Sequence, residues 1–315
     1  MFIPYSNENF VFTGVWQENE NGEIINYKTA SFFEIGFTGK SITLDSNRDN
    51  VITAYIDGKE VSPHPYGTKY HFETEDGEHL LKVGIRFENH LKLKGVIIGD
   101  EQRVFVPPKR PYIHMIGDSI THAYPGFSTT LAETLGMDYS IVAMGGMALH
   151  DGWGWYDIPE GLESRVGMES NYFKLEFPYE STNFTDYKFD FCRQPDIITV
   201  FLGTNDFLNT AEQRENGYLE KFCDRYSKFL QRLREMYPKS KIYMFNALTE
   251  SLFRRESIET AFKEAQKNID NIFFLNIQEW DIEIASDGLH PSLEGYKTLG
   301  LKLAEYFEKN LINSK

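Results

Sequence analysis

The sequence predicts two domains of different class: an N-terminal β-sandwich of jelly-roll type over residues 1–107 and a three-layer α/β/α domain over residues 112–315. Three features of this chain of 315 residues support the division. Short strand-like runs fill the first third, a proline-rich segment follows, and apolar strands then alternate with stretches of helical length. Each part is long enough to bury a hydrophobic core of its own.

The N-terminal third contains apolar or alternating runs without a helical period. These runs predict strands at Phe10–Trp16, Ser31–Phe37, Ser41–Leu44, Val51–Ile56, Lys69–Phe72, Leu80–Phe87 and Gly95–Ile98. The dipeptides Asn21-Gly22, Asp57-Gly58 and Asp76-Gly77 lie between runs, and such dipeptides accept the positive φ of tight hairpin turns. Several short strands at this spacing predict a β-sandwich.

The segment Val106–Pro111 contains three prolines in six residues. Proline fixes φ and lacks the N–H that strand pairing needs, so this segment ends the pattern of paired strands. We therefore predict a short stiff linker over residues 108–111 between the two domains.

After the linker, nearly continuous apolar runs alternate with helical patterns. The runs predict five strands at Tyr112–Ile116, Tyr139–Met144, Ile197–Leu202, Ile242–Phe245 and Ile272–Leu275. Helical periodicity is clearest in Gln213–Met236, Ser257–Lys267 and Leu293–Leu311. The alternation predicts a five-stranded parallel sheet covered by helices on both faces.

An insertion over residues 151–193 departs from this alternation. It has no clear period and carries eleven aromatic residues. Long loops in compact domains are usually functional or mobile. Two interpretations stay open: a segment that borders a binding site, or aromatic rings that pack on each other or on another copy of the chain.

Composition limits the partners that we expect. The net charge is −15 and no basic stripe is visible, which disfavours nucleic acids and anionic membranes as partners. No apolar run approaches the roughly 18 residues of a membrane span. The first residues show no signal-peptide pattern, so we expect a cytoplasmic protein, although a secreted chain without its leader would look the same. Cys192 and Cys223 are interpreted as buried or idle thiols, and a homo-oligomer is compatible with the sequence.

Four segments of the second domain carry candidate chemistry: Gly117-Asp118-Ser119-Ile120, Met144-Gly145-Gly146, Gly203-Thr204-Asn205-Asp206 and Asp287-Gly288-Leu289-His290. The first three follow consecutive strands, at the sheet edge where open α/β sheets bind ligands. Ser119 supplies a hydroxyl nucleophile, while glycine N–H groups and the Asn205 amide supply donors for an oxyanion. The pattern therefore predicts a serine esterase.

Asp287 and His290 lie just before the last predicted helix. Their spacing lets the carboxylate reach Nδ1 of the imidazole and leaves Nε2 free to face a serine. The alternative is a simple turn ahead of a helix, with Pro291 near its first position. The agreement of all four segments favours catalysis.

These four segments resemble blocks I, II, III and V of the GDSL/SGNH hydrolases, and the resemblance covers residues 112–315. It implies that Ser119 is the nucleophile and that Asp287 and His290 form the base unit. It also implies an oxyanion hole made of the Ser119 and Gly146 N–H groups and the Asn205 side chain.

The N-terminal half narrows the resemblance. A leading β-sandwich with Tyr55-Ile56-Asp57-Gly58 and Gly77-Glu78-His79-Leu80-Leu81, followed by the serine motif, resembles carbohydrate esterase family 2. Members of that family remove acetyl groups from plant polysaccharides, and some lack the catalytic carboxylate that Asp287 would supply here. Gly145 stands where many relatives carry serine, which leaves the choice between Gly145 and Gly146 as oxyanion donor open.

The resemblance thus implies an acetylxylan esterase-like O-acetylesterase that acts on acetylated xylo- or manno-oligosaccharides through an acetyl-serine intermediate, with no cofactor. Because the insertion begins five residues after Gly146, we expect Trp153 or Trp155 to bind the sugar leaving group. A lipase, thioesterase or lysophospholipase on the same scaffold is an alternative. A carbohydrate-binding protein with an inactive esterase domain is another.

The remaining histidines and two carboxylates receive structural interpretations. No spacing of histidine, cysteine and carboxylate indicates a metal site. We interpret Asp118 and Asp206 as anchors of turns or loops rather than as acids in the reaction. Structural roles are also expected for the other histidines, which are His64, His71, His79, His90, His114, His122 and His150.

Overall fold

The computed structural model describes residues 1–28, 30–46, 52–61, 68–85, 90–179, 185–189, 193–206, 217–248 and 252–312. The chain forms two compact units, one of Met1–Lys109 with Tyr187–Arg193 and one of Arg110–Asp186 with Gln194–Lys315. The segment Tyr187–Arg193, which the sequence analysis included in the insertion, therefore groups with the first unit. His64, Cys192, Val51 and the end of the strand predicted at Leu80–Phe87 lie outside the described residues.

The described part of the first unit is an antiparallel sheet around one hydrophobic core. Its strands pair in the order β3-β4-β9-β5-β8-β6-β7, with β1 on β9 and both β2 and β10 on β5. Buried apolar side chains such as Trp16, Phe33 and Leu81 join the strands. The strands are β1 (Phe2–Pro4), β2 (Val11–Thr13), β3 (Trp16–Glu18), β4 (Ile24–Asn26), β5 (Ser31–Ser46), β6 (Thr53–Ile56), β7 (Lys59–Val61), β8 (Lys69–Ile85), β9 (Lys92–Ile97) and β10 (Val104–Phe105).

Two long strands differ from the predicted pattern. Each of β5 and β8 joins two of the predicted short strands into one long strand, and β5 pairs with β8 along nearly the whole length of both. The predicted hairpin turn at Asp76-Gly77 is wrong: Gly77 lies opposite Gly39 inside the ladder, and a register shift between Gly39 and Ser41 absorbs the irregularity. The turn at Asp57-Gly58 does join two paired strands, β6 and β7, with positive φ at both residues.

The run Phe10–Trp16, predicted as one strand, is divided between β2 and β3. Gly14 between them has a φ of +94°, which a paired strand does not accommodate. A Cβ atom at Gly14 would lie 2.4 Å from Oγ of Ser31, so the close approach to β5 requires glycine at this position.

The second unit contains the five predicted parallel strands in the order β12-β11-β13-β14-β15. The predicted fold class, a β domain followed by an α/β domain with a five-stranded parallel sheet, is confirmed. The strands are β11 (Tyr112–Gly117), β12 (Asp138–Ala143), β13 (Ile197–Phe201), β14 (Lys241–Phe245) and β15 (Ile272–Leu275).

Helices follow these strands. The helical period predicted over Leu293–Leu311 buries Leu299, Leu303 and Phe307 on the last of them, whereas Leu293 at its start is exposed. The helix Phe127–Leu135 was not predicted, because its threonine-rich sequence has a weak helical preference. It ends at Gly136, which has the left-handed conformation. The described helices are α1 (Ser119–His122), α2 (Phe127–Leu135), α3 (Met168–Asn171), α4 (Tyr218–Met236), α5 (Leu252–Ala265) and α6 (Leu293–Phe307), with a 3₁₀ turn at Ile277–Trp280 and a π turn at Glu308–Ile312.

The strand order sets the position of the candidate site. β11 lies between β12 and β13, so the chain moves to one side of β11 and later to the other. Gly117 at the end of β11 is level with Ala143 of β12 and Phe201 of β13. This edge is the kind of topological switch point where α/β sheets bind ligands.

Among the helices in the described ranges, none has both the length and the apolar character that crossing a lipid bilayer requires.

Candidate active site

Ser119 begins the short helix α1 directly after β11. Gly117 makes the tight entry possible, because a Cβ atom there would lie 2.0 Å from Oγ1 of Thr121. Asp118 is the N-cap residue, and its buried carboxylate accepts a hydrogen bond from the N–H of Ile120 at 3.0 Å. Asp118 thus anchors the turn, and the serine is held at the sheet edge by a strand on one side and a cap on the other.

A continuous set of hydrogen bonds links the serine, the histidine and the aspartate. Oγ of Ser119 lies 2.8 Å from Nε2 of His290, and Nδ1 of His290 lies 2.7 Å from Oδ2 of Asp287. A neutral imidazole with its proton on Nδ1 can donate to Asp287 and accept from Ser119 at the same time. The geometry is that of a serine nucleophile with an oriented general base.

Asp287 is held in its ionised form by local hydrogen bonds. Its Oδ1 atom accepts the N–H of Leu289 at 2.9 Å and the N–H of His290 at 3.0 Å. These two backbone donors, together with the His290 side chain, lower the pKa of Asp287 to about 2. A negative charge therefore faces the imidazole throughout the neutral range.

Paired glycines form a turn after β12. The N–H of Met147 donates to the carbonyl of Met144 at 3.3 Å, and Gly146 inside this turn has a φ of +72°. A Cβ atom at Gly146 would lie 2.9 Å from the N atom of Tyr156, whereas one at Gly145 would meet nothing within 4 Å. Backbone conformation and space both require glycine at position 146.

Donors for an oxyanion are present beside Ser119. Within the described residues, the N–H groups of Ser119, Gly145 and Gly146 donate to no protein acceptor. The side-chain amide of Asn205 donates to the carbonyl of Met147 at 3.0 Å, and an amide has a second N–H to offer. Such preorganised donors stabilise the charge that develops on a carbonyl oxygen during attack.

These groups border one open cleft of about 460 Å³. Its volume lies within the range of small-molecule sites. The residues that line it are Ser119, Gly145, Gly146, Trp155, Asn205, Leu289 and His290.

The two predicted tryptophans have different positions. Trp155 lines the cleft with 48% of its surface exposed, and its backbone N–H donates to the carbonyl of Gly146 at 2.7 Å. Trp153 is not among the lining residues; its ring packs edge-on against Tyr218, with centroids 4.8 Å apart. The structure therefore brings Trp155, but not Trp153, to the cleft.

Leu289 was not predicted at this cleft, and Asp206, which was predicted to anchor a turn or loop, is not among the residues that line it. Leu289 lines it, and its place between Asp287 and His290 was the available signal. Asp206 is fully buried, accepts the N–H groups of Leu149 and His150, and lies near Asp118. Burial, with a smaller contribution from the Asp118 charge, raises the pKa of Asp206 to about 7.

His114 on β11 belongs to a buried polar network below the cleft. Its Nδ1 and Nε2 atoms lie 2.6 Å from Oγ of Ser140 and 2.9 Å from the hydroxyl of Tyr172. Complete burial lowers the pKa of His114 to about 3, so the ring is neutral. His150 contacts Tyr218 through its ring, and within the described residues no cluster of histidine, cysteine and carboxylate could hold a metal ion.

The segment that carries this site matches a known protein family. The model of the GDSL-like lipase/acylhydrolase family matches residues 115–298, which is more than half of the chain. That range includes Ser119, Gly146, Asn205, Asp287 and His290. No curated protein matches the sequence.

Solved structures match over nearly the whole chain. An acetyl xylan esterase from the rumen bacterium Butyrivibrio proteoclasticus is 18% identical, with a TM-score of 0.74, 100% of this chain covered and 99% of that one. A carbohydrate esterase family 2 enzyme from Corynascus thermopiles (Myceliophthora fergusii) is 21% identical, with a TM-score of 0.71 and 95% and 98% covered. A family two carbohydrate esterase from Cellvibrio japonicus is 15% identical, with a TM-score of 0.70 and 98% and 97% covered. At these identities the likeness shows a shared fold.

Proposed function

The chain belongs to the GDSL-like lipase/acylhydrolase family, and from this premise we propose that it is a serine esterase that removes O-acetyl groups from carbohydrates. The observation that carries the proposal is the connected set Ser119–His290–Asp287, with hydrogen bonds of 2.8 and 2.7 Å, beside backbone N–H groups that donate to no acceptor in the described part of the chain. A nucleophile, its base and donors for an oxyanion are the parts that acyl transfer needs.

In the acylation step, Oγ of Ser119 attacks the acetyl carbonyl carbon while Nε2 of His290 takes its proton. The carbonyl π electrons move to oxygen, and this oxyanion accepts hydrogen bonds from the N–H groups of Ser119 and Gly146 and from the Asn205 amide. When the tetrahedral intermediate collapses, the bond to the sugar oxygen breaks. The imidazolium of His290 gives its proton to the departing sugar oxygen, which leaves as a hydroxyl group.

Deacylation repeats the steps with water as nucleophile. His290 takes a proton from water as the water oxygen attacks the acetyl-Ser119 ester, and the tetrahedral intermediate collapses with cleavage of the bond to Oγ. The imidazolium returns its proton to Oγ of Ser119, and the product leaves as acetic acid, which ionises to acetate in solution. Asp287 keeps the imidazole oriented and stabilises its charged form. The scheme consumes one water and uses no cofactor.

The carbohydrate part of the proposal is supported by Trp155. Its half-exposed ring lines the cleft beside the nucleophile, and aromatic faces stack on the apolar C–H faces of sugar rings. Similar folds occur in proteins described as an acetyl xylan esterase and as family 2 carbohydrate esterases. We infer acetylated xylo- or manno-oligosaccharides as the substrate class.

A panel of esters tests this proposal. The wild-type protein and Ser119→Ala are assayed on p-nitrophenyl acetate, butyrate and octanoate and on acetylated xylan and mannan fragments. We expect acetate release by the wild type only, with the highest kcat/KM on acetyl esters. Faster turnover of the octanoate ester than of the acetate ester would favour a lipase. A protein that binds the fragments but neither hydrolyses them nor is labelled at Ser119 by a phosphonate would be a binding protein.

A further inference from the structure

The carboxylate of Asp206 is fully buried directly after Asn205, and the scheme above gives it no role. Its Oδ2 atom accepts the N–H of Leu149 at 2.8 Å, and its Oδ1 atom accepts the N–H of His150 at 3.1 Å. The hydroxyl of Tyr218 lies 3.4 Å from Oδ1. Both oxygens of this buried carboxyl group are thus directed at one short backbone segment.

That segment, residues 147–150, directly continues the turn of residues 144–147 that contains Gly145 and Gly146, here called the glycine turn. Asn205 holds its first residue through the carbonyl of Met147 at 3.0 Å, and Asp206 holds Leu149 and His150. Two neighbouring side chains after β13 therefore fix the segment that starts directly after Gly146. Its other edge is bound by the N–H groups of Met168 and Glu169, which donate to the carbonyls of Ala148 and Leu149 at 2.9 and 3.0 Å.

We propose that Asp206 is a positioning residue of the oxyanion hole, which holds the glycine turn so that the Gly146 N–H stays directed into the cleft. The inference rests on the proposed esterase function. Asp206 acts through the backbone at Leu149 and His150, and it touches neither the substrate nor the reacting atoms. It thereby couples the end of β13, which carries Asn205, to the turn after β12, which carries the other donor.

The chemistry of the contact explains why a carboxylate is needed. Two N–H groups require two acceptor oxygens, and a carboxyl group offers one to each. An asparagine has a single oxygen, so its NH₂ group would face one of the two N–H donors. A buried charge is costly unless it is fully hydrogen-bonded, which makes an acidic residue here a poor choice for packing alone.

The expected consequence is a loss of turnover rather than of binding. Misplacement of a catalytic group by about 1 Å can lower the rate roughly a hundredfold. Oxyanion donors act in the transition state, so their displacement lowers kcat and leaves KM nearly unchanged.

The test compares Asp206→Asn and Asp206→Ala with a matched control. Asp138 is also a buried aspartate of the second unit, but it lies at the opposite end of β12 and pairs with Arg110 at 2.8 Å. Asp138→Asn therefore reports the general effect of losing a buried carboxylate. For each variant, kcat and KM on p-nitrophenyl acetate are measured well below its melting temperature, with active sites counted by phosphonate titration.

We expect kcat to fall about 10-fold in Asp206→Asn and about 100-fold in Asp206→Ala, with KM within roughly threefold of the wild type and Asp138→Asn near the wild type in kcat. The inference is overturned if Asp206→Asn retains kcat within about twofold, if only KM changes, or if Asp138→Asn loses as much kcat. Should Asp206→Ala fail to fold, the asparagine variant alone decides. Loss of the esterase proposal would look different, because the wild type would then be no faster than Ser119→Ala.

Discussion

Oγ of Ser119 lies 2.8 Å from Nε2 of His290, although 171 positions separate the two residues in the chain. The parallel sheet brings Ser119 to its carboxyl edge, and the loop before α6 brings His290 to the same place. The third member, Asp287, needs no such long-range contact, because it accepts hydrogen bonds from the backbone of its own loop. The fold therefore has to bring together two segments, each of which is locally ordered.

Asn205→Ala should lower kcat on p-nitrophenyl acetate by roughly 100- to 1000-fold with a smaller change in KM, because the amide donor acts on the transition state. Steady-state kinetics on folded protein measure both constants. The amide also donates to the carbonyl of Met147, and the second variant, Asn205→Asp, keeps the size of the side chain but loses both this hydrogen bond and the donor to the oxyanion. An unchanged kcat in both variants would remove Asn205 from the oxyanion hole.

Gly146→Ala should lower kcat by at least about 10-fold, because alanine at positive φ costs about 1 kcal/mol and the added Cβ would crowd the N atom of Tyr156. Gly136→Ala is the matched control. Gly136 also has positive φ, at 60°, but it caps α2 and a Cβ there meets nothing within 4 Å. We expect the control to lose stability and keep kcat; equal kcat in the two variants would contradict a role for the glycine turn in catalysis.

Trp155→Ala should lower kcat/KM on acetylated oligosaccharides about 10-fold or more and affect p-nitrophenyl acetate much less, since only the first substrate has a sugar to stack. Trp153→Ala is the paired variant, because that ring packs on Tyr218. We expect it to change the melting temperature without changing the ratio of the two activities. If Trp155→Ala reduces the two activities by the same factor, as Trp153→Ala is expected to do, then Trp155 has a packing role and does not bind the sugar.

His114 should make stability fall at acidic pH. Its pKa is about 3 in the folded protein and about 6.5 unfolded, so the unfolded chain binds a proton first as the pH drops. The contribution of neutral His114 to the free energy of unfolding is complete above pH ~6.5 and is lost progressively toward pH ~3. The loss between pH ~7 and ~5 is about 2 kcal/mol. Urea unfolding of the wild type and His114→Phe should show the difference between them shrinking over this range. A difference that is constant with pH would indicate that His114 does not titrate in this way.

Much of this architecture could be predicted from the sequence, because parallel strands impose a simple rule. The strands β11, β12 and β13 of the second unit are buried along their whole lengths, and the carboxyl ends of all five parallel strands share one edge. Residues that directly follow those ends, such as Ser119 and Asn205, must therefore be neighbours. The contact between Asp287 and His290 could also be predicted, because it depends only on their three-residue spacing within one loop.

Other features depend on tertiary contacts that a local pattern does not contain. Trp153 and Trp155 are both tryptophans and lie two residues apart, so a local pattern does not distinguish them. Trp153 packs on Tyr218, whereas Trp155 lines the cleft. The Asp76-Gly77 dipeptide favours a turn locally, yet pairing with β5 carries it through as strand. The backbone N–H groups that Asp206 accepts belong to residues more than fifty positions away, so the sequence could indicate an anchor but not the segment that it holds.

The most direct test of the central claim is to look for the acetyl-enzyme. The protein is mixed with excess p-nitrophenyl acetate, quenched in acid during turnover, digested and mapped by mass spectrometry. We predict one acetyl group on the peptide that contains Ser119, its accumulation in His290→Ala if acylation persists there, and its absence in Ser119→Ala. Continued hydrolysis with no acetyl group on Ser119, or with the group on another residue, would contradict the account.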